Sequence, residues 1–146
     1  MKNVQRVVLD TCVMTSGLMS RQGASYQLLS ILPKKSFVFL LSVPLFFEYE
    51  AVLKRDNILQ GHGLSFSEID ILLHMWAKLC EPVLFHYLWR PQLKDPDDEM
   101  VLETAVNGQA DAIVTFNRND FHPHTEAFGV QLLTPGTFLK MIRRIP

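Results

Sequence analysis

Acidic side chains stand at the ends of apolar segments along this chain. Asp10 directly follows the apolar run 7–9, and Asp98 opens a segment in which apolar residues recur at helical spacing. Glu48 and Glu50 flank the apolar stripe of another helical segment about equally, so the residues alone leave the choice between them open. A single acid in such a place commonly caps a helix or forms a turn, whereas several acids that converge can bind a metal ion.

Asp98 lies within a run of acids, and helical spacing separates it from its neighbours. It shares one helix face with Val101, Leu102 and Ala105, at spacings of three, four and seven residues. An acid that only interacts with solvent has no reason to lie on an apolar face. Asp98 is therefore expected to point along the edge of a sheet toward a metal or another partner that neutralises it.

Further polar side chains follow the apolar run 112–114, in the segment TFNRNDF. Thr115, Asn117 and Asp120 fall at the end of this run. Asn and Asp in such a loop commonly serve only to form the turn. Their position at a strand end nevertheless places them where the other acids are expected.

Converging carboxylates have a definite chemistry. At close range they repel one another, and one takes up a proton unless a cation is present. An oxygen-rich cluster without paired Cys or well-spaced His suits a hard ion such as Mg²⁺ or Mn²⁺. Such ions assist phosphoryl chemistry by activating water and by neutralising charge on the transition state.

The acids need a scaffold that brings distant strand ends together. Short apolar runs rich in Val, Ile and Phe alternate with longer helical segments, which predicts an α/β fold with a parallel sheet. In such sheets ligands bind beyond the carboxyl ends of the strands. Strands are predicted at 7–9, 37–43, 83–85, 112–114 and 130–133, and helices at 25–32, 44–54, 67–80, 98–106 and 135–144. Ser65 and Glu68 have capping-box spacing, and Thr134 precedes a proline as an N-cap would.

Composition bounds the function classes. The 146 residues predict one domain spanning 1–146, and 48% hydrophobic residues exclude disorder. A net charge of −1 argues against a protein that coats nucleic acid electrostatically. The most apolar stretch, 37–47, is too short to cross a membrane and contains Pro44. Two scattered cysteines suit a reducing cytoplasm.

Together these motifs resemble the PIN-domain ribonucleases, and in particular the VapC-like toxins of bacterial toxin–antitoxin systems. Four segments are similar, in order, to the family's acid-bearing regions: VVLDTCVMTSGL, LFFEYEAVLKR, DPDDEMVLETAVNGQADAIVT and TFNRNDF. LLTPGTFLKMI is similar to the closing strand and helix of one subfamily. The resemblance implies a three-layer α/β/α fold with a central, mainly parallel sheet of about five strands.

The resemblance also implies metal-dependent hydrolysis of RNA phosphodiester bonds. It selects Glu48 over Glu50 as the second acid. The implied ligands of Mg²⁺ or Mn²⁺ are Asp10, Glu48, Asp98 and Asp120, with Asn117 completing the site and Thr11 or Thr115 contacting a ligand water or phosphate. An antitoxin partner is implied as well, and two apolar helices could form its surface or that of a homodimer.

Two departures from the family pattern keep other functions open. Cys12 stands where the family often has Asn, and Asn117 stands where many members have an acid. A PIN-fold protein with a degenerate metal site, acting as a non-enzymatic binding partner, is therefore the main alternative. An aspartyl phosphatase is a weaker one, because the general-acid position two residues after Asp10 is Cys12.

Positive charge for an RNA substrate must be local. Arg118, inside the loop after 112–114, is the preferred phosphate contact. The other candidates are Lys34-Lys35, Lys54-Arg55 and the terminal Lys140, Arg143 and Arg144, each of which could equally be ordinary solvated surface. His122 and His124 are interpreted as part of an exposed loop in preference to a transition-metal site, because Pro123 makes a shared tetrahedral site awkward. Tyr87 and Trp89 are expected to pack in the core or in an interface.

Overall fold

The computed structural model describes residues 4–86, 93 and 95–144, and its described strands form one parallel sheet. The strand order is β3-β2-β1-β4-β5. All four strand pairings are parallel, so the carboxyl ends of the strands meet at one edge. The bounds are β1 Arg6–Leu9, β2 Val38–Ser42, β3 Glu81–Val83, β4 Ala112–Val114 and β5 Gln131–Leu133.

Helices cover both faces of this sheet in a three-layer α/β/α arrangement, as the sequence predicts. Their bounds are α1 Thr11–Met19, α2 Ala24–Ser30, α3 Val43–Leu53, α4 Asp56–His62, α5 Phe66–Leu79, α6 Pro96–Asn107 and α7 Pro135–Arg143. Helix α2 packs against α1 and α7, while α3 packs against α5 and α6. None of these helices is long and apolar enough to cross a membrane.

The central strands are the most deeply buried part of the fold. Every residue of β4 is buried, as are Val7, Val8 and Leu9 of β1. Strands β1 and β4 pair with Val7 opposite Ala112 and Leu9 opposite Val114. Asp10 and Thr115 therefore leave neighbouring strands at the same level, which places the first residues after each strand next to each other.

The predicted helix starts are confirmed at the two places that carry cap signals. Ser65 accepts the Glu68 backbone N–H at 3.1 Å, and the Glu68 carboxylate accepts the Ser65 N–H at 3.0 Å. Thr134 caps α7 by accepting the Thr137 N–H. These local hydrogen bonds satisfy backbone groups that no helical partner reaches.

Other boundaries differ from the predictions. Strand β3 begins at Glu81, two residues before the predicted start, and α6 begins at Pro96 because Asp95 caps it. Helices α1 and α4 are absent from the predictions. The α1 sequence TCVMTSGLM is poor in strong helix formers, so packing and the Asp10 cap stabilise it more than propensity does. Tyr87 and Trp89 lie outside the described residues.

Candidate active site

An open cleft of about 500 Å³ lies at the carboxyl edge of the sheet, and carboxylates from three elements line it. Asp10 comes from the end of β1, Glu48 from the first half of α3, and Asp98 from the first turn of α6. Asn117, Thr11 and Arg55 are among the other side chains in its wall. Strand β2 is the neighbour of β1 and runs directly into α3, which explains why Glu48 reaches the same edge as Asp10.

Hydrogen bonds from two residues hold the Asp10 carboxylate in place. Its carboxylate accepts the Thr11 backbone N–H at 2.8 Å and the Thr115 hydroxyl at 2.7 Å, and only 6% of the residue is exposed. Burial raises the pKa of this carboxyl, and the hydrogen bonds from Thr115, Cys12 and Thr11 offset only part of that effect. The Asp10 charge is therefore costly unless a cation neutralises it.

Thr115 is completely buried and does not line the cleft. Its hydroxyl donates to Asp10 and accepts the backbone N–H of Asn117 at 2.9 Å, while its own N–H bonds to the carbonyl oxygen of Leu133. Thr115 thus joins the ends of β1, β4 and β5. By geometry it orients Asp10, whereas Thr11 and Thr15 are the threonines that line the cleft.

Helix α3 turns Glu48 toward the cleft and Glu50 away from it. Glu50 forms an ion pair with Lys54 at 2.9 Å and is absent from the cleft lining. Between them, Tyr49 is fully buried and donates its hydroxyl to the Leu9 carbonyl oxygen at 2.5 Å. The pKa of Glu48 is raised, first by burial and then by the charge of Asp97.

Asp98 lies half-buried in the first turn of α6, where several other acids surround it. Burial first, and then the charges of Asp10, Asp95, Asp120 and Asp97, raise its pKa to about 7. A helix N-terminus favours anions, so a pKa this high shows that burial, together with the charges of the neighbouring acids, outweighs that effect. The cleft is therefore built to receive positive charge.

Asp120 and Asn117 lie on the loop after β4 but face different spaces. Asn117 lines the acid cleft, while Asp120 lines an adjoining cavity of about 370 Å³. Asp98 belongs to both spaces, and the Asp120 charge contributes to the raised pKa values of Asp10 and Asp98. Asp120 thus interacts electrostatically with Asp10 and Asp98.

Cys12 lies beneath the acids at the start of α1. Its thiol donates to the Asp10 carboxylate with a sulfur–oxygen distance of 3.4 Å. Burial and then the Asp10 charge raise the pKa of this thiol to about 12. Cys12 therefore stays protonated and acts as a weak hydrogen-bond donor, because only a thiolate would be a good metal ligand or nucleophile.

The donor set of the cleft fits a hard divalent cation, because it consists of carboxylate and amide oxygens. Within the part of the chain that the structure describes, no three His, Cys, Asp or Glu side chains are grouped so as to hold a metal ion together. Mg²⁺ does not require such a group, since it commonly keeps several water ligands and takes one or two carboxylates. The fit is thus one of donor chemistry and charge, with the carboxylates lining one open cleft.

Several residues at the cleft were not singled out from the sequence. Asp95 and Asp97 line it, although the helical phase of α6 favours Asp98 alone. His124, interpreted as part of an exposed loop, is half-buried and lines the adjoining cavity with His122. The two cavities bring together residues that are distant along the chain, so no local sequence pattern predicts their lining.

The spacing of apolar residues along α6 also fails to predict that two other acids of this helix are buried. Glu99 and Glu103 are both buried, more completely than Asp98, because neighbours cover α6 over most of its circumference. The Glu99 carboxylate accepts the backbone N–H of Leu93 at 2.5 Å. An inward direction therefore does not by itself distinguish a ligand-binding acid from a structural one.

Comparison with models of known protein families gives a match over most of the chain. The model of a family described as the PIN domain matches residues 6–119, which is well over half of the chain. The matched range includes Asp10, Glu48, Asp98 and Asn117 and ends just before Asp120. No curated protein is significantly similar to the chain.

Proposed function

Because the chain belongs to the PIN domain family, whose members are typically metal-dependent nucleases, we propose that it is a ribonuclease that hydrolyses RNA phosphodiester bonds with Mg²⁺ or Mn²⁺. One observation carries the proposal. Asp10, Glu48 and Asp98 come from three separate elements and line one open cleft at the carboxyl edge of the sheet.

The carboxylates of Asp10, Glu48, Asp98 and Asp120 hold the cation in this proposal, directly or through water. A bound Mg²⁺ or Mn²⁺ would supply an activated water molecule and would neutralise charge on the phosphate in the transition state. Asn117 lines the same cleft. In this proposal its side-chain amide orients the water or the phosphate.

The hydrogen-bonded residues around Asp10 have a positioning role in this scheme. Thr11 lies in the cleft wall, within reach of a ligand water or phosphate, and its N–H orients Asp10. Thr115, which does not line the cleft, orients Asp10 through its hydroxyl. Fixed donors of this kind keep the carboxylate in place before substrate arrives, which is how preorganised sites lower a barrier.

Substitution of Asp98 tests the proposal. In purified Asp98→Asn protein, Mn²⁺-dependent cleavage of single-stranded RNA should fall by about 100-fold or more, as is typical when a charge that stabilises the transition state is lost. The matched control is Asp56→Asn, an exposed acid of α4 outside the cleft lining, which should cleave normally. Unchanged turnover in Asp98→Asn would show that the cleft is not the catalytic centre.

A degenerate site is the second candidate, and three observations favour it. Cys12 is a protonated thiol, Asn117 carries no charge, and the described side chains form no preformed group of three metal ligands. In this case the protein acts as a binding partner without turnover. Calorimetric titration with Mn²⁺ separates the candidates, because a degenerate site should show no heat of binding at micromolar to millimolar metal.

We further propose that the protein is the toxin of a toxin–antitoxin pair that acts in the cytoplasm, with a cognate antitoxin as partner. Exposed apolar side chains offer a surface for such a protein, among them Val43 and Phe47, which are 65% and 58% exposed. They border an apolar groove of about 300 Å³ between α3 and the end of α5. Co-expression with the product of a neighbouring small reading frame should yield a stable complex, and a homodimer would appear as doubled mass in light scattering.

A further inference from the structure

Strand β5 is an outer strand of the sheet, so within the described residues one of its sides has no neighbouring strand. Its other side pairs with β4 through the Gln131 N–H, which bonds to the Asp111 carbonyl oxygen at 2.9 Å. The Leu133 carbonyl oxygen likewise accepts the Thr115 N–H at 2.9 Å. Because the backbone groups of alternate residues point to opposite sides of a strand, the N–H and C=O of Leu132 point away from β4.

The other outer strand, β3, is protected in a way that β5 is not. Strand β3 carries Pro82, and a proline in an outer strand leaves no N–H to pair with a further strand. Strand β5 has the sequence QLL, contains no proline, and is exposed or half-buried along its length. Of the two edges of the sheet, the one at β5 therefore keeps its backbone donor.

A cavity of about 460 Å³ runs beside β5, and its lining includes Leu132, Arg118 and Glu126. Arg118 is exposed, and within the described part of the chain its guanidinium group forms no hydrogen bond or ion pair. It does not line the acid cleft. The Glu126 side chain is 69% exposed and bonds through one oxygen to His122 at 2.8 Å. We call Leu132, Arg118 and Glu126 together the β5 edge, which presents open backbone groups and both signs of charge.

We propose that the β5 edge joins two copies of this chain, with the two β5 strands antiparallel about a two-fold axis at Leu132. In an antiparallel pair, two residues that face each other through their N–H and C=O groups exchange both hydrogen bonds, and the two Leu132 residues form such a pair. A two-fold interface also brings each contact twice, once in each direction. Arg118 of each copy then meets Glu126 of the partner subunit.

A second folded copy suits the β5 edge better than a flexible peptide does. One open residue offers only two backbone hydrogen bonds, which are too few to offset the entropy lost when several residues of a flexible segment become ordered. A strand that is already folded avoids most of this loss. The charges point the same way, because a surface that carries Arg118 and Glu126 is complementary to itself.

Charge reversal tests the inference, with the mass measured by light scattering at low salt over a range of protein concentrations. The unsubstituted protein should form a dimer. Arg118→Glu and Glu126→Arg should each raise its dissociation constant by about 100-fold, because each change creates two like-charge pairs in the interface. An equimolar mixture of the two variants should recover the dimer, since every pair across the axis is then opposite in charge. Pairing of Arg118 with Glu126 inside one copy would give no such recovery.

Two further variants locate the interface. Lys34→Glu reverses an exposed cation outside the cavity beside β5 and should leave the dissociation constant unchanged. Phe47→Asn changes the exposed apolar surface of α3 and should also leave the dimer intact. If Phe47→Asn dissociates the dimer while the charge reversals do not, the copies meet through α3 and the inference is wrong.

Hydrogen exchange gives a second readout at the backbone itself. In the unsubstituted protein, the segment 130–134 should exchange more slowly as protein concentration rises, because the Leu132 N–H becomes bonded. Arg118→Glu should abolish this concentration dependence, while its melting temperature verifies that the monomer is folded.

A protein that stays monomeric up to about 1 mM, or an equimolar mixture of the two variants that does not dimerise, would overturn the inference. None of these measurements uses RNA or a metal ion. The proposed ribonuclease function therefore stands or falls separately, on the Asp98→Asn experiment.

Discussion

Thr115 shows how a single residue can serve the site without reaching the ligand. It is completely buried, and its hydroxyl links the Asp10 carboxylate to the backbone of the loop that carries Asn117. The sequence places Thr115 at a strand end, where it could equally contact a phosphate. Only the packing of β1 beside β4 assigns it to Asp10.

The Thr115→Val substitution tests this positioning role. Val keeps the shape and removes the donor to a charged group, which is worth roughly 1.5–3 kcal/mol. We expect the melting temperature to fall by about 6 °C and kcat to fall more than KM rises. Thr115→Ser should recover both quantities, and Thr137→Val on the exposed face of α7 should change neither. Normal kcat in Thr115→Val would remove Thr115 from the site.

Burial of Asp98 and the charges of the acids around it predict that the stability of the folded protein depends on pH. In the folded protein its pKa is raised from 3.8 to about 7, so the folded state binds this proton more tightly than the unfolded state. Stability without metal should therefore fall as pH rises from about 4 to about 7, and the full loss is present above that range.

In metal-free buffer at pH 8, Asp98→Asn should consequently melt higher than the unsubstituted protein, by roughly 3 °C after allowing for solvent screening. At pH 4 the two proteins should melt together. Scanning calorimetry at both pH values measures the difference. A variant that is less stable at pH 8 would mean that Asp98 makes favourable contacts that outweigh the repulsion.

At the scale of elements, helix α3 is the part that positions Glu48, and Tyr49 ties it to the sheet. The Tyr49 hydroxyl bonds to the last residue of β1, and its ring packs edge-on against Trp76 of α5 with centroids 6.2 Å apart. Ser42 caps the helix by accepting the Leu45 N–H. The sequence predicts this helix, but only its attachment decides which glutamate faces the cleft.

Tyr49→Phe and Ser65→Ala form a matched pair of element-scale variants. Each loses about 1 kcal/mol of stability, the first from one buried hydrogen bond and the second from a helix cap, so each should lower the melting temperature by about 3 °C. Only Tyr49→Phe should also reduce kcat, by roughly 3- to 10-fold, because α3 carries the cleft acid Glu48 whereas α5 contributes no residue to the cleft lining. Equal kcat in both variants would show that Tyr49 contributes to stability alone.

For the whole molecule, one sheet contains strands from both ends of the described chain, and a single domain over 1–146 remains a prediction. Calorimetry should then show one cooperative transition with an enthalpy of about 100 kcal/mol, as expected for 146 residues. Mn²⁺ at ten times its dissociation constant should add about 1.4 kcal/mol and raise the melting temperature by about 4 °C. Two separate transitions would contradict the single-domain prediction, and an unmoved transition with Mn²⁺ would favour the degenerate site.

The net charge of −1 takes its meaning only from the whole molecule. As a total it argues against electrostatic coating of nucleic acid. In the structure, several of the acids line one cleft together with Arg55, while Arg118 and Glu126 line another cavity. The total therefore includes a local concentration of negative charge, and it carries no argument against a local RNA site.

Local sequence signals were enough to predict the strands and most of the helices, although they missed α1 and α4. Continuous apolar runs predict buried parallel strands, and the caps at Ser65 and Thr134 mark helix starts, because these signals are local. The acid at the end of β1 and the acid phase of α6 could be identified for the same reason. The PIN-domain resemblance added the order of the motifs and the preference for Glu48.

Which side chains line the cleft and which pair elsewhere is set by the packing of the strands and helices, and the sequence did not predict it. The tertiary structure separated Glu48 from Glu50, Arg55 from Lys54, and the orienting role of Thr115 from the cleft position of Thr11. The two glutamates and the two basic residues are close along the chain and alike in charge, and the two threonines are the same residue type at two strand ends. What distinguishes the members of each pair is contact with residues tens of positions away, and that contact depends on how the strands pair and how the helices pack on them.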